Sequence, residues 1–272
     1  MFAAVLAGAV IVCASSRPAD ASLVLFDGNA LFDSSLPSSA TGTSGGSTNF
    51  RPSIGSSANH LSQQSWHFRI DGMHNRQFMF SESQGNPTTS GMFSSTGSYE
   101  WSGLAGGILD AKLTIELQDG RAPNEATLTQ TMSLTNTSSS AFTISLFHYA
   151  DINAGGAPSL NNANALNSNL LDISKGNEFV HWQGIGADAY DYQHFNRLFN
   201  KLTSPSIVNL SSPQSPLLAA DFTGAFQWTL DIDPGDTVSV TSIISSNIVI
   251  PAPGAVLLLA GSALISSRRR RM

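Results

Sequence analysis

Alternation of apolar and polar residues along the middle of the sequence restricts this chain to β structure. The clearest case is the segment 111–118, AKLTIELQ, in which Leu113, Ile115 and Leu117 alternate with polar residues. Successive side chains of a strand point to opposite faces of a sheet, so these three residues share one face. An Asp-Gly pair follows and favours a turn. The pattern predicts a half-buried strand that ends at that turn.

The same two-residue period occurs in other segments. The longer ones are 127–135, 141–152, 225–232 and 237–245, and shorter apolar runs occupy 66–70, 76–82 and 178–184. The residues 233–236, Asp-Pro-Gly-Asp, separate two of the long segments, and Pro followed by Gly is typical of a type II turn. Short strands separated by turn signals predict antiparallel sheets.

One segment has a helical period instead. Within residues 188–202, apolar residues recur at the spacings i, i+3, i+4 and i+7, namely Phe195, Leu198, Phe199 and Leu202. This spacing predicts a short amphipathic helix. The sequence as a whole therefore predicts an all-β fold, an antiparallel β sandwich with one short helix.

Two segments of low complexity interrupt the predicted strands. In residues 34–48, Ser, Thr and Gly make up 12 of the 15 positions, and residues 153–170 contain six Asn and a Gly-Gly pair. Such segments bury little apolar surface, so both are predicted to be flexible loops. They lie within a predicted passenger domain of residues 22–247.

The charge of this domain argues against nucleic acid as a partner. The whole chain has a formal net charge of −6, but Arg17, Asp20 and four terminal arginines lie outside the domain. The domain itself has 8 basic and 18 acidic residues, which gives a net charge of −10. An acidic surface repels phosphate backbones. The one cysteine, Cys13, also lies outside the domain, so no disulfide is predicted there.

The N-terminal segment has the order of a signal peptide. Residues 2–13 form an apolar run that is too short to span a membrane comfortably. Ala19 and Ala21 then supply the small residues that signal peptidase needs. Residues 1–21 are therefore predicted to direct export and to be removed by signal peptidase after Ala21.

The C-terminal segment, residues 248–272, has the order of a membrane tail. Its central motif consists of Pro251, Ala252, Pro253 and Gly254. Proline does not continue a helix, so an apolar helix is predicted only from about Ala255 onward. The chain then closes with Arg268, Arg269, Arg270 and Arg271. Arginines stay on the cytoplasmic side of a membrane, so this tail is predicted to be a transmembrane helix that holds the exported body at the inner membrane.

This tail resembles the PEP-CTERM sorting signal in its Pro-Ala-Pro-Gly variant. The resemblance rests on the motif at 251–254, one apolar helix and the terminal arginines, and it covers about 25 residues. Ala252 stands where the better-known form has Glu. The resemblance implies recognition and cleavage by an exosortase, a membrane protease, and an association with exopolysaccharide and biofilm. The alternative is a plain C-terminal anchor, which needs only the helix and the arginines.

Two groups of histidines were considered as catalytic or metal-binding sites. His148 and Asp151 lie in the segment FHYAD, but strand parity places His148 on the apolar face, as a core histidine with a hydrogen bond. His67 and His74 lie near Asp71, seven residues apart, a spacing that matches no known metal motif. Neither group is predicted to be catalytic.

Three aspartates surround the predicted Pro-Gly turn and offer oxygen ligands to calcium. They are Asp231, Asp233 and Asp236. Their order does not match an EF-hand loop, so they are interpreted as solvated turn residues. The sequence also lacks the common motifs of nucleophilic, phosphate-binding and metalloprotease sites. It therefore predicts no metal, no cofactor and no catalytic residue.

The main functional interpretation is a non-enzymatic protein of the cell surface or extracellular matrix. A carbohydrate-binding module is the first alternative, and it requires at least two tryptophans exposed on one face. The candidates are Trp66, Trp101, Trp182 and Trp228. A polysaccharide-active enzyme is the second alternative, and it requires two carboxylates in a cleft, about 5–10 Å apart.

The two ends of the chain give a prediction that mass spectrometry checks. Protein isolated from its own cells should begin at Ser22 and should lack the terminal arginines. The double substitution Pro251→Ala and Pro253→Ala extends the helix through the motif, so uncut protein should collect in the membrane fraction. Native protein that still carries Met272 would contradict sorting and favour the plain anchor.

Overall fold

The computed structural model describes residues 22–35, 48–53, 58–80, 88–90 and 94–247. The predicted signal-cleavage residues, sorting motif and membrane-orienting arginines lie outside this part of the chain, namely Ala19, Ala21, Pro251, Ala252, Pro253, Gly254, Arg268, Arg269, Arg270 and Arg271. The predicted transmembrane helix lies there too. Among the described residues, no helix has the length and apolar character needed to cross a membrane.

The described residues are mostly β strands. Numbered in chain order, the strands are β1 (Ser22–Asp27), β2 (Ala30–Ser35), β3 (Thr48–Arg51), β4 (Leu61–Ile70), β5 (Phe78–Met79), β6 (Thr88–Ser90), β7 (Thr96–Gly103), β8 (Leu109–Asp119), β9 (Ala126–Asn136), β10 (Phe142–Ile152), β11 (Asn161–Asn167), β12 (Leu170–Lys175), β13 (Glu178–Ile185), β14 (Ala189–His194), β15 (Leu217–Ala220), β16 (Phe222–Ile232) and β17 (Thr237–Ser246). The helical pieces are α1 (Leu104–Gly107), a 3₁₀ turn (Ala154–Gly156) and α2 (Arg197–Leu202).

These strands form three antiparallel sheets. The smallest has the order β1-β2-β3, the second has the order β14-β16-β10-β4-β5, and the third has the order β15-β11-β12-β13-β17-β9-β8-β7-β6. The predicted all-β, antiparallel architecture is therefore confirmed. The predicted turn at 233–236 joins β16 to β17, and Gly235 has the positive φ of 80° that a type II turn requires.

The main core lies between the five-stranded and nine-stranded sheets. On β9, buried residues alternate strictly with partly exposed ones, as expected for a strand with one face on the core. On β10, the nine residues Ile144–Ile152 are all buried, because β10 is the central strand of its sheet and is covered on both faces. The three-stranded sheet adds further buried side chains to the same core, namely Leu23, Leu25, Phe32 and Phe50.

A buried histidine joins the two sheets across this core. The His148 ring stacks on Trp66, with ring centroids 4.3 Å apart and planes 4° apart. Its Nε2 lies 3.2 Å from Gln64 Oε1, and its Nδ1 lies 2.9 Å from Ser242 Oγ. Because Gln64 Oε1 can only accept, Nε2 carries the proton and Nδ1 accepts from Ser242. Burial, together with nearby His67, lowers the pKa of His148 to about 3, so the ring is neutral.

Two more side chains complete this hydrogen-bond network. Trp66 Nε1 donates to Gln130 Oε1 at 3.2 Å, and Gln130 Nε2 donates to Gln64 Oε1 at 2.7 Å. Trp182 Nε1 donates to Ser242 Oγ at 2.8 Å. Gln130 and Ser242 belong to the nine-stranded sheet, so the network fixes that sheet against β4 and β10. The network therefore pairs its own buried polar atoms rather than excluding them from the core.

A buried arginine holds a loop on the other face of the five-stranded sheet, which we call the outer face. Arg69 Nη1 donates to the carbonyl of Val208 at 2.7 Å, and Nη2 donates to Ser145 Oγ at 2.7 Å. Its Nε forms an ion pair with Asp71 Oδ1 at 2.6 Å. The segment 207–210 is thereby fixed over the sheet by charge-assisted bonds.

The helix α2 covers the neighbouring part of the outer face. Its buried residues Leu198, Phe199 and Leu202 pack in one apolar cluster with Phe147 and Tyr149 of β10. The predicted helix is thus present, but it is shorter than the predicted segment. Residues 189–194 form β14 instead, because Tyr190 and Tyr192 alternate into the main core. Phe195 lies between the strand and the helix.

The predicted flexible loop at 153–170 is wrong for its second half. The strand β11 occupies Asn161–Asn167 and pairs with β12 and β15. Asn161 is buried, and its Oδ1 accepts from the backbone N–H of Ala154 at 3.0 Å. Asparagines paired with backbone groups thus permit a strand in a segment with little apolar surface. Most of the other predicted loop, at 34–48, lies outside the described residues.

The neutral core histidine predicts an acid-sensitive fold. Between pH 6.5 and about 3, the unfolded chain binds a proton at His148 that the folded chain does not. The free energy of unfolding should therefore fall as the pH drops through this window, by about 1.4 kcal/mol per pH unit. His67, with a pKa lowered to about 3 by burial, acts with the same sign.

Urea unfolding at several pH values checks this prediction. His148→Gln should depend less steeply on pH than the wild type, because the residue that titrates on unfolding is gone. His194→Gln removes an exposed histidine and is the matched control. Equal slopes for wild type and His148→Gln would show that His148 does not resist protonation.

Candidate functional site

The outer face of the five-stranded sheet changes from apolar to polar along its central strand. On β10, the residues that point to this face are Phe147, Tyr149 and Asp151, because they alternate with core residues such as His148. Phe147 and the Tyr149 ring lie under α2. The carboxyl group of Asp151 lies further along, toward the end of the strand.

The neighbouring strands place polar residues beside Asp151. In the antiparallel register, Asp151 lies opposite Thr223 of β16 on one side and Gln63 of β4 on the other. Asp221 precedes β16 and is two residues from Thr223, so it shares the outer face. Diagonal neighbours of this kind are about 7–8 Å apart between Cα atoms, and their side chains can approach more closely. Asp151 and Asp221 therefore form a pair of carboxyl groups, which we call the acid pair.

Several oxygen atoms around the acid pair are buried without a hydrogen-bond partner. Among the described residues, these atoms include Oδ1 of Asp151, Oδ1 of Asp221 and Oδ1 of Asn153. Asp151 is 4% exposed and Asn153 is 2% exposed. Buried acceptors without donors are unfavourable, and such groups in a native structure call for an explanation in function, in a bound proton or in a ligand.

The environment of Asp151 favours its protonated form. Burial, reinforced by the nearby charge of Asp221 and opposed by a hydrogen bond from Asn153, raises the pKa of Asp151 to about 7. Burial also raises the pKa of Asp221, while the charge of His194 lowers it. Near neutral pH, one proton is therefore available at Asp151, beside a second carboxyl group. Two carboxyl groups in different environments can divide the roles of acid and base.

Tyr149 lies next to the acid pair on the outer face. Burial and the charge of Asp151 raise the pKa of the Tyr149 hydroxyl, so it remains a donor at neutral pH. His194, the last residue of β14, is exposed and pairs with the core residue Phe222, so strand parity places it on the opposite face. Asp221 itself is partly exposed. The acid pair is thus reached from solvent on the Asp221 side, whereas Asp151 is enclosed.

The histidine groups considered from sequence do not form this site. His148 lies in the core, as its strand parity predicts, and faces away from Asp151. His67 is buried on the outer face, where its Nε2 lies 2.8 Å from Ser65 Oγ. His74 Nδ1 accepts from the backbone N–H of Ile70 at 3.1 Å, and Asp71 is bound to Arg69.

The aspartates of the Pro-Gly corner serve the turn and its flanking strands. Asp231 Oδ1 accepts from Thr143 Oγ1 at 2.6 Å, and the Asp233 carbonyl accepts from the Asp236 N–H at 3.0 Å. Within the ranges that the structure describes, no three His, Cys, Asp or Glu residues cluster as metal ligands do.

All four tryptophans are buried, with exposures of 5%, 2%, 0% and 2% for Trp66, Trp101, Trp182 and Trp228. The carbohydrate-binding alternative required tryptophans exposed on one face, so that version of it is wrong.

Sequence analysis missed the acid pair for a specific reason. Asp151 was considered only together with His148, although residues three apart on a strand face opposite sides of the sheet. The parity that assigned His148 to the core also places Asp151 on the other face. Asp221 carried no signal, because its proximity to Asp151 depends on the pairing of β10 with β16.

Comparisons with known proteins give information at the level of the fold. No protein-family model matches this sequence, and no curated protein sequence matches it. The fold resembles a putative aldose 1-epimerase from Escherichia coli K12, with a TM-score of 0.51 and 12% identity over 85% of this chain and 100% of that one. A bacterial glucoamylase complexed with acarbose has a TM-score of 0.49 and 9% identity, over 79% of this chain and 30% of that one.

A polysaccharide lyase is also similar, with a TM-score of 0.44 and 8% identity over 81% of this chain. This chain spans 33% of the lyase and 30% of the glucoamylase.

These comparisons contradict the prediction that the chain is not an enzyme. The finding that overturns it is the fold that the chain shares with a putative aldose 1-epimerase along that protein's whole length. The prediction relied on the absence of local sequence motifs, which does not exclude a site assembled from residues distant in sequence. At these identities the resemblance shows the fold alone, so reaction and substrate have to be argued from the site.

The buried carboxyl group of Asp151 is predicted to lower the free energy of unfolding at neutral and alkaline pH. Because the pKa of Asp151 is raised to about 7 in the folded state, the folded chain holds a proton that the unfolded chain loses above pH 3.8. Stability from this group is therefore lost as the pH rises from about 4 to 7. Asp151→Asn should be more stable than the wild type at pH 8, by about 2–4 kcal/mol, and nearly equal to it at pH 4.

Chemical denaturation at pH 4 and pH 8 measures this difference. Asp236→Asn, which changes an exposed turn aspartate, is the matched control. A wild type that is as stable as Asp151→Asn at pH 8 would contradict the account of an unfavourable buried carboxylate.

Proposed function

We propose that this protein is a carbohydrate-active enzyme that uses Asp151 and Asp221 for acid–base catalysis at the anomeric carbon of a saccharide. The observation that carries the proposal is the acid pair itself. Its two carboxyl groups lie on one face of the sheet and have buried oxygens without partners, and burial together with the charge of Asp221 raises the pKa of Asp151. Perturbed carboxyl groups of this kind are concentrated at functional sites.

The two aspartates differ in their surroundings, and this difference assigns their roles. Asp151 is enclosed and protonated near pH 7, so it donates a proton to an oxygen bonded to the anomeric carbon. Asp221 is partly exposed, so we assign it the role of the carboxylate that accepts a proton or stabilises the developing positive charge. Tyr149 supplies a hydrogen-bond donor beside Asp151.

The net charge of the domain favours a neutral substrate. The body carries a net charge of −10, so it repels acidic polysaccharides at long range. Uncharged hexose polymers and oligosaccharides are therefore the substrate class that we propose. The fold of a putative aldose 1-epimerase supports this class by analogy at fold level.

Export and sorting remain part of the proposal on the basis of the two ends of the sequence. We propose that the protein is exported by its leader, held at the membrane by its tail and then processed by an exosortase. An enzyme delivered in this way acts on saccharide at the cell surface or in the extracellular matrix, such as exopolysaccharide and other components of a biofilm. The apolar tail and its four arginines support this proposal.

Activity assays on the acid-pair variants test the proposal. A panel of neutral saccharides is scored for release of reducing ends and, by proton NMR, for interconversion of anomers, which separates bond cleavage from anomerisation. Asp151→Asn and Asp221→Asn should each lower kcat by at least about 100-fold. Asp236→Asn should leave kcat unchanged. Full activity in Asp151→Asn would contradict the assigned acid.

A further inference from the structure

One exposed aromatic side chain stands next to the acid pair. Among the described residues, the exposed aromatic side chains are Phe26, at 38%, and Phe195, at 42%. A single exposed apolar side chain is common on protein surfaces, so it is the position of Phe195 next to the acid pair that matters. The other large apolar residues of the segment 195–202 belong to α2 and are buried, whereas Phe195 is exposed.

The register places Phe195 opposite Asp221. The last paired residues of β14 and β16 are His194 and Phe222. The pairing continues by one residue, because the Phe195 N–H donates to the Asp221 carbonyl at 2.9 Å. Directly opposed residues have Cβ atoms about 4.5–5.5 Å apart on the same face of the sheet. The Phe195 ring therefore rises from the outer face beside the Asp221 carboxyl group.

The backbone that carries this ring is fixed on both sides. Asn196 has a positive φ of 65° and turns the chain directly from β14 into α2. Leu198 and Phe199 then hold α2 on the sheet. Phe195 itself is 42% exposed and is not part of the apolar cluster under α2. Its position is thus set by neighbours, which is the arrangement of a preorganised binding side chain.

A pyranose ring has an apolar face that can stack on an aromatic side chain. When most hydroxyl groups of a hexopyranose are equatorial, its axial C–H groups form an apolar face, and its hydroxyl groups point outward to hydrogen-bonding partners. The outer face offers a partner to each part of the sugar. Phe195 can contact the apolar C–H face, and the Asp221 carboxyl group can accept hydrogen bonds from the hydroxyl groups.

We infer that Phe195 is the stacking platform that seats a neutral hexopyranose against the acid pair and determines the sugar that the site accepts. The inference rests on the proposed function, and it adds to it a binding residue and a substrate shape. Phe195 contacts the sugar ring but not the reacting atoms, so it governs binding rather than proton transfer.

Kinetics separate this role from a structural one. Phe195→Ala should raise KM about tenfold, with kcat changed less than about twofold, because the stacking contact is present in both the bound substrate and the transition state. Phe195→Trp should restore KM. Phe26→Ala removes the other exposed phenylalanine and should leave KM unchanged. A wild-type KM in Phe195→Ala would overturn the inference while leaving the proposed function standing.

Binding measured without turnover separates the inference from the proposed function. Saturation-transfer NMR is recorded with maltohexaose and with cellohexaose on the Asp151→Asn variant. Transfer to the axial C–H protons of one of them is expected, together with its loss in the Asp151→Asn, Phe195→Ala double variant. If the wild type binds in this way but turns over no saccharide, the proposed function fails and the inference stands. Absence of transfer from both oligosaccharides would overturn the inference.

Discussion

The burial of β10 on both faces is the constraint on which this structure depends. One face of the strand fills the core between the two larger sheets, and the other face is covered by α2 and the segment 207–210. A polar group on such a strand has to find a partner within the protein. His148 does so, through Gln64 and Ser242, and it thereby fixes the two sheets against each other. Asp151, three residues further, leaves one carboxyl oxygen without a partner.

His148 and Asp151 thus differ in how their polar atoms are satisfied, although both lie on β10. The His148 network satisfies its polar atoms, and it keeps the ring neutral at the expense of stability in acid. The buried oxygens of the acid pair lack such partners, and two charged carboxylates would repel each other. Asp151 therefore keeps its proton up to about pH 7. Groups that destabilise a fold at neutral pH are concentrated at functional sites, which is the basis of the role that we propose for Asp151. The partly exposed Asp221, together with Phe195, opens that group toward solvent.

The sequence predicted the strands well where one face alone is buried. The segments that became β8, β9 and β17 show a clean two-residue period, since their other face is solvated. Segments with unusual burial were predicted less well. The strand β11 was missed because its buried positions are Asn161 and the small Ala163 rather than large apolar residues. The strand β14 was predicted as helix because Phe195 continues the spacing of α2. The acid pair joins residues 70 positions apart, so it required the pairing of β10 with β16, which no local pattern reveals.

The central claim is that Asp151 holds a proton near neutral pH because its carboxyl group is buried and because Asp221 lies beside it. Carbon-13 NMR of the aspartate carboxyl groups, with Asp151→Asn used to assign its resonance, measures this directly. The account predicts a titration midpoint for Asp151 near pH 7 that moves downward in Asp221→Asn, because the neighbouring negative charge is removed. A midpoint near the ordinary aspartate value of about 4, unchanged by Asp221→Asn, would contradict it.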